Sequence, residues 1–286
     1  MRVWITGAKG LLGSALQQAL LARGVEFVGT SKSDADVTDL SSLAQFYRKM
    51  GPFTHLIHCA AYTQVDLAES QPELARQVNA LAPALIGSLA AEMGFRVVHI
   101  STDYVFDGLS SHPYLESDRI APQTVYGQTK AEGETHLLAA LPDACIIRTS
   151  WLFGMGPKHF VSTMIRLMLE KEEVAVVSDQ RGRPTYAPDL AEAVVQALDW
   201  SGIYHVASSG KTSWHAFAEV IGAEALALNL PVRCRYIKPV LSLDYGAPAP
   251  RPLYSVLDTT KADEKLGKPL RHWKDGLKEY LLKTYA

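Results

Sequence analysis

Seven residues near the amino terminus, Gly7-Ala8-Lys9-Gly10-Leu11-Leu12-Gly13, follow an apolar run at Arg2 to Thr6 and open a helical pattern. Glycines at this spacing permit a tight turn and a close backbone approach to a pyrophosphate, whose charge the helix N-terminus then meets. The position between a strand and the helix that follows is what gives the turn this meaning and points to strand–helix–strand architecture; an ordinary glycine-rich turn is the other reading. Glu26 to Gly29, His55 to Cys59, Arg96 to Ile100 and Ala144 to Thr149 read as further strands. Their bulky apolar residues are nearly continuous, as parallel strands covered on both faces require. Leu12, Leu16, Ala19 and Leu20 mark one helical face, and Leu43, Phe46, Tyr47 and Met50 a second. Leu74, Val78, Leu81, Leu85 and Leu89 mark a longer third. The expected fold is α/β, a Rossmann-type doubly wound parallel sheet.

Past Trp151 the alternation loosens. A helix from about Phe160 to Leu169, a strand at Val174 to Val177, a helix at Leu190 to Leu198 and a strand at Ile203 to Val206 are expected. Prolines crowd between Pro231 and Pro252, and the segment from Gly246 to Pro252 reads as irregular. The organisation expected is a dinucleotide-binding Rossmann domain over residues 1–150, with returning elements at about 180–206. Most of 151–286 forms a smaller C-terminal substrate-binding lobe. A chain of 286 residues with 48% hydrophobic content can fill both cores.

Charge and cysteines exclude several classes of function. A net charge of −2 gives no electrostatic case for nucleic acid or an acidic membrane surface. No apolar run approaches the roughly 18 residues that span a bilayer, and Val3-Trp4-Ile5 reads as a strand rather than a leader. Cys59, Cys145 and Cys234 lie far apart without metal-ligand spacing; Cys59 and Cys145, in apolar strand-like runs, read as buried thiols, and so few cysteines fit a reducing cytoplasm. His55 and His58, three apart on a strand, face opposite sides and make no ligand pair.

The chemistry lies in Tyr126-Gly127-Gln128-Thr129-Lys130. On a helix, residues four apart share a face, so the phenol and the ammonium reach one ligand. A lysine charge about 4 Å away contributes roughly 4 kcal/mol at an effective dielectric of about 20. That lowers a phenol pKa by up to about three units before desolvation takes some back. The pair suits general acid–base chemistry beside a carbonyl or hydroxyl. Tyr-x-x-x-Lys alone also fits an ordinary surface helix; the glycine turn upstream changes that balance. Where the second strand ends, Thr30, Ser31 and Lys32 precede the first carboxylate at Asp34, which favours NADPH with NADH tolerated; a Lys32 pointing into solvent is the other reading. Asp36 and Val37 join the expected cofactor contacts, as do Ala60, Ala61, Tyr62 and Thr63 beyond the third strand. Thr102 offers a hydroxyl near the carboxyl end of the fourth, although Ser-Thr-Asp is equally a good helix cap.

Together the glycine turn, Ala60-Ala61, Thr102 and Tyr126/Lys130 resemble the extended short-chain dehydrogenase/reductase superfamily. Within it, Ala60-Ala61-Tyr62-Thr63-x-Val65-Asp66, Ser101-Thr102-Asp103-Tyr104-Val105-Phe106-Asp107-Gly108 and Arg148-Thr149-Ser150-Trp151 resemble dTDP-4-dehydrorhamnose reductases. So do Asp179-Gln180-x-Gly182-x-Pro184-Thr185 and Arg251-Pro252-x-x-Ser255-x-Leu257-Asp258, and these motifs run in family order through most of the chain. The resemblance implies NADPH-dependent reduction of the 4-keto group of a nucleotide-linked deoxysugar. It makes Tyr126 the proton donor, Lys130 its tuner and ribose ligand, and Thr102 the hydroxyl that orients the keto oxygen. Asp103 and Trp151 would contact the sugar and Arg251 the nucleotide diphosphate. Core packing is the other reading of Trp151, and a surface ion pair that of Arg251. Some members pair through a metal held by acidic residues; Ala15 and Pro188 stand where acids would be expected, so no metal is implied, and a homodimer stays open. An epimerase of the same fold would retain and recycle its nicotinamide. A non-catalytic relative resembling the regulatory subunit of methionine adenosyltransferase would only bind.

Overall fold

Residues 1–156 and 159–286 are described in a computed structural model of the chain. β1 (Arg2–Thr6), α1 (Leu11–Ala22), β2 (Glu26–Thr30), α2 (Leu40–Met50) and β3 (His55–His58) alternate as the apolar runs dictate. After them come α3 (Val65–Ser70), α4 (Pro72–Arg76), α5 (Ala82–Met93), β4 (Arg96–Thr102), α6 (Val125–Ala140) and β5 (Cys145–Thr149). β1 pairs in parallel with β2 on one side and β3 on the other; β4 and β5 extend the sheet beyond β3. Alternate side chains of each strand serve opposite faces. Val3 and Ile5 therefore join α1 in one core layer, while Trp4 meets Leu43, Phe53 and Leu56 in the other.

The expected third helix, Leu74 to Leu89, is interrupted. A single π turn at Gln77–Leu81 separates α4 from α5, and Leu74 and Leu81 are exposed rather than buried. Pro83 supplies the reason, because it has no N–H to give the carbonyl of Asn79 four residues back. That carbonyl lies against α6 instead, where a Cβ on Gly133 would come within 2.1 Å of it. A second difference is that β4 runs on to Thr102, past the expected end at Ile100, and carries Thr102 in register with Thr149 of β5.

Beyond β5 the chain builds a second core and twice returns to the sheet. β6 (Leu152–Phe153), α7 (Phe160–Glu170), β7 (Glu173–Val177), β8 (Arg181–Gly182) and β9 (Thr185–Tyr186) lead into α8 (Ala187–Gln196), which packs on α1. β10 (Gly202–His205) then adds to the edge of β5, completing a six-stranded parallel sheet in the order β10-β5-β4-β3-β1-β2. β11 (Thr212–Ser213), α9 (Trp214–Ala227), β12 (Tyr236–Val240), α10 (Ser242–Tyr245), α11 (Thr260–Leu266) and α12 (Trp273–Tyr285) follow. Phe153, Met164, Ile165, Tyr186, Phe217, Ile221, Trp273 and Leu277 form the lobe's own core. Among the described residues no helix is long and apolar enough to cross a membrane.

One ion pair lies wholly inside the sheet layer. Arg148 on β5 donates from Nε and Nη2 to the two carboxylate oxygens of Glu134 on α6, at 2.9 and 2.6 Å, and both residues are almost fully buried. Ser101 on β4 donates to the same carboxylate, so the pair locks α6 to the two strands that carry the site. Removing one charge strands the other in a low-dielectric interior. Glu134→Gln is expected to lower stability by about 3 to 5 kcal/mol in urea denaturation, and Glu134→Leu combined with Arg148→Met to recover most of it. A loss below about 1 kcal/mol for the single variant would contradict this.

Candidate active site

Because β1 sits between β2 and β3, successive connections leave it in opposite directions and open a crevice at the carboxyl ends of the strands. A cleft of about 750 Å³ occupies that place. Gly7, at φ +67°, forms one wall so close to the opposite one that a Cβ would lie 2.7 Å from the Ala60 nitrogen. Gly13 is equally constrained, since a Cβ there would fall 2.3 Å from the Gly7 carbonyl oxygen. Gly10 caps α1 without any side-chain bond, and no acidic residue occupies the first turn. The helix thus presents free N–H groups and the positive end of its dipole to the cleft.

Gly7, Gly10, Leu11, Leu12, Gly13, Ser31, Lys32, Asp36, Val37, Ala60, Ala61 and Thr63 all line the cleft. Tyr62 does not. Its N–H donates to Asn79 Oδ1 at 2.8 Å and its hydroxyl to Gln71 Oε1 at 3.0 Å, so it anchors the loop from outside. Lys32 is largely exposed, with Nζ 3.6 Å from Asp36 Oδ2. Asp34 lies outside the lining and accepts from both the N–H and the hydroxyl of Ser31, which hold its carboxyl below the usual range. Lys9 also lines the cleft, a second cation whose only sequence signal is its place in the glycine turn.

Across the cleft stand Thr102, Asp103, Tyr126 and Lys130. Thr124 caps α6 by accepting from the Gly127 N–H at 3.0 Å. At Gly127 the helix approaches the Tyr104 carbonyl so nearly that a Cβ would be 2.2 Å from its oxygen. That contact brings the Tyr126 ring edge-on to Tyr104, 5.5 Å between centroids. Burial pushes the Tyr126 phenol up to about 12, opposed by the Thr102 hydroxyl beside it. This corrects the expectation that Lys130 lowers the phenol. The lysine Nζ instead donates to the Ile100 carbonyl at 2.7 Å and lies 3.2 Å from His99 Nε2; burial brings its own pKa down to about 8. Spacing along a helix places two side chains on one face, but here the ammonium turns to Ile100 and His99, and burial governs the phenol.

Thr102 Oγ1 donates to Asp103 Oδ1 at 3.0 Å and accepts from the Tyr104 N–H at 3.2 Å. Asp103 Oδ2 has no hydrogen-bond partner among the described residues. Trp151 holds a left-handed backbone at φ +47° and stacks face to face on Trp214, 3.6 Å between centroids. A Cβ on Gly182 would lie 2.4 Å from the Trp151 ring, so glycine alone fits behind it. Arg251 stands outside the cleft lining and donates to Asp66 Oδ2 at 2.7 Å. His159, Phe160 and Trp214 of the lobe reach the cleft without any local signal in the sequence. Among the described residues no group of three or more His, Cys, Asp or Glu side chains is placed to hold a metal ion.

Residues 1–286 match the family described as the RmlD substrate binding domain. The chain is similar to the spore coat polysaccharide biosynthesis protein SpsK of Bacillus subtilis (strain 168), 39% identical over 285 residues that cover 98% of this chain and 96% of the relative. To the dTDP-4-dehydrorhamnose reductase of Escherichia coli (strain K12) it is 36% identical, covering 100% of this chain and 99% of that one. The crystal structure of dTDP-4-dehydrorhamnose reductase from Bacillus anthracis str. Ames in complex with NADP is similar with a TM-score of 0.92 at 36% identity, covering 99% of each chain.

Burial raises the Asp103 carboxyl to about 6, against the bonds it accepts. Between about pH 4 and 6 the native state therefore keeps a proton that the unfolded chain has released. Stability falls as pH rises through that window, and the ionised carboxylate remains a penalty at neutral pH. Asp103→Asn keeps an acceptor for Thr102 and is expected to gain up to about 2 to 3 kcal/mol in urea denaturation near neutral pH, but little at about pH 4. An equal gain at both would contradict the assignment.

Proposed function

Because this chain belongs to the RmlD substrate binding domain family, we infer that it is an NADPH-dependent dTDP-4-dehydrorhamnose reductase serving dTDP-rhamnose biosynthesis. The observation that carries the reading is the meeting, in one cleft, of a glycine-lined helix N-terminus with Thr102, Tyr126 and Lys130. The cleft fits the cofactor: α1 offers uncapped N–H groups where a pyrophosphate needs donors, and Lys9 and Lys32 stand where a 2′-phosphate needs cations. Gly7, Gly10, Leu11, Leu12 and Gly13 would hold the pyrophosphate, Ser31, Lys32, Asp36 and Val37 the adenine side, and Ala60, Ala61 and Thr63 the middle. NADPH, when bound, supplies the hydride that reduces the C4 carbonyl of the sugar.

The chain's own residues deal with the charge that builds on the carbonyl oxygen. A phenol raised to about 12 keeps its proton at neutral pH, which is the state a general acid needs before the reaction. Tyr126 gives that proton to the oxygen, and Thr102 turns its hydroxyl from Asp103 to donate alongside it. The Lys130 charge, brought to bear once ligands exclude water, stabilises the phenolate that remains. Asp103 lines the cleft beside Thr102, where it would meet the sugar, and the Trp151–Trp214 stack supplies an apolar wall. Arg251 is held by Asp66 through Nη2 and would bring its remaining donors to a diphosphate. We take residues 1–150, with the elements at about 180–206, as the cofactor domain and most of 151–286 as the lobe that closes on the sugar.

Three free cysteines accord with a cytoplasmic setting. Exposed Leu67, Leu74 and Leu81 accord with a homodimer, which sedimentation would test.

The direct test is consumption of NADPH with dTDP-4-dehydrorhamnose. Tyr126→Phe is expected to cut kcat by about 10²- to 10⁴-fold while NADPH affinity stays nearly intact. Lys130→Ala should impair both, and Thr102→Val mainly kcat. A Tyr126→Phe enzyme that keeps most of its activity would remove the phenol from the role of acid. Lys9→Ala and Lys32→Ala should each weaken NADPH binding by about 3- to 10-fold relative to NADH, read by fluorescence titration. Equal losses for the two cofactors would show that these lysines do not read the phosphate.

A further inference from the structure

Beneath the cleft, the lysine of the catalytic pair is held by a buried histidine. An ammonium carries three hydrogens and no lone pair. Lys130 directs one at the Ile100 carbonyl, 2.7 Å away, and another at His99 Nε2, 3.2 Å away, while the residue itself lines the cleft. His99 is completely buried on β4 and its ring stacks on His58, 5.0 Å between centroids. His58 in turn bonds Thr6 Oγ1 through Nδ1 at 2.7 Å. The charged and titratable groups around His99 are Lys130 from α6 and His58 from β3. Burial and the Lys130 charge hold the His99 ring well below its ordinary value and bring His58 down to about 3, so both are neutral at physiological pH.

Since Lys130 can only donate, Nε2 of His99 must present its lone pair, and the ring proton sits on Nδ1. That Nδ1 has no partner among the described residues. A buried donor without an acceptor lowers stability, and an apolar residue at this position, like Val98 and Ile100 on either side, would avoid the loss. Core packing therefore does not account for a histidine at this position, whereas its contact with Lys130 does.

We propose that His99 is a positioning residue for the reaction: through Nε2 it accepts from Lys130 and, with the Ile100 carbonyl, fixes two of the ammonium hydrogens so that the third is aimed into the cleft. The proposal rests on the reading that Lys130 serves the reduction, and a double-mutant cycle separates the two. With saturating NADPH and dTDP-4-dehydrorhamnose, His99→Leu is expected to lower kcat by about 10- to 100-fold, the loss of a hydrogen bond to a charged group. The KM for the sugar should stay within about threefold, and His99→Gln, whose amide oxygen accepts, should recover most of kcat. In a Lys130→Ala background, His99→Leu should have no further effect. Full kcat in His99→Leu, or an equal loss in both backgrounds, overturns the proposal. Full activity in Lys130→Ala overturns instead the reading of the site. Should His99→Leu not fold, histidine-selective ¹⁵N NMR of the unmodified protein decides: a neutral ring protonated on Nδ1 is expected, and a proton on Nε2 overturns it.

Discussion

The site depends on how closely α6 lies against its neighbours. Two glycines on that helix leave no room for a side chain, Gly127 against the Tyr104 carbonyl and Gly133 against the carbonyl of Asn79. Beside them, Tyr126 and Lys130 are carried to the ends of β4 and β5, and Glu134 one turn on reaches Arg148. A helix held farther out would leave the phenol short of Thr102 and the ammonium short of Ile100. The gap at Asn79 exists because Pro83 releases a backbone carbonyl and the π turn swings it toward α6. The same turn directs the Asn79 side chain to both the N–H and the carbonyl of Tyr62, which fixes the loop opposite the glycine turn.

Buried polar groups gather under this cleft to an extent the fold alone does not require. Lys130, Glu134, Arg148, Asp103, His58 and His99 are all nearly inaccessible to water. The Arg148–Glu134 pair is well satisfied and serves as a brace. Among the described residues His99 keeps an unpartnered ring nitrogen, a loss of stability retained where ligands bind. A low-dielectric site also makes each remaining charge more effective on a reacting oxygen than it would be in water.

Much of this was legible in the sequence because the relevant signals are local. The glycine turn, the continuous apolar strands and the four-residue step from Tyr126 to Lys130 each specify geometry within a few residues. The break before Pro83 is hidden by a leucine periodicity that runs on through it. Other features depend on contacts across the chain. Arg251 meets Asp66 from 185 residues away, and Trp214 meets Trp151 because β11 pairs with β8 beside Gly182. The phenol pKa is illegible for a related reason: spacing fixes which face a lysine occupies, but not whether its ammonium turns toward the phenol or toward a backbone carbonyl.

The central claim is that this cleft delivers hydride to C4 of the sugar while Tyr126 protonates the oxygen. The most direct measurement supplies NADPH deuterated at the transferring position of the nicotinamide C4, together with dTDP-4-dehydrorhamnose, and locates the label in the product by NMR. The account expects one deuterium at sugar C4 for each NADPH oxidised, and its near disappearance in Tyr126→Phe. Turnover of the sugar with no label at C4, or with no net oxidation of NADPH, would contradict it.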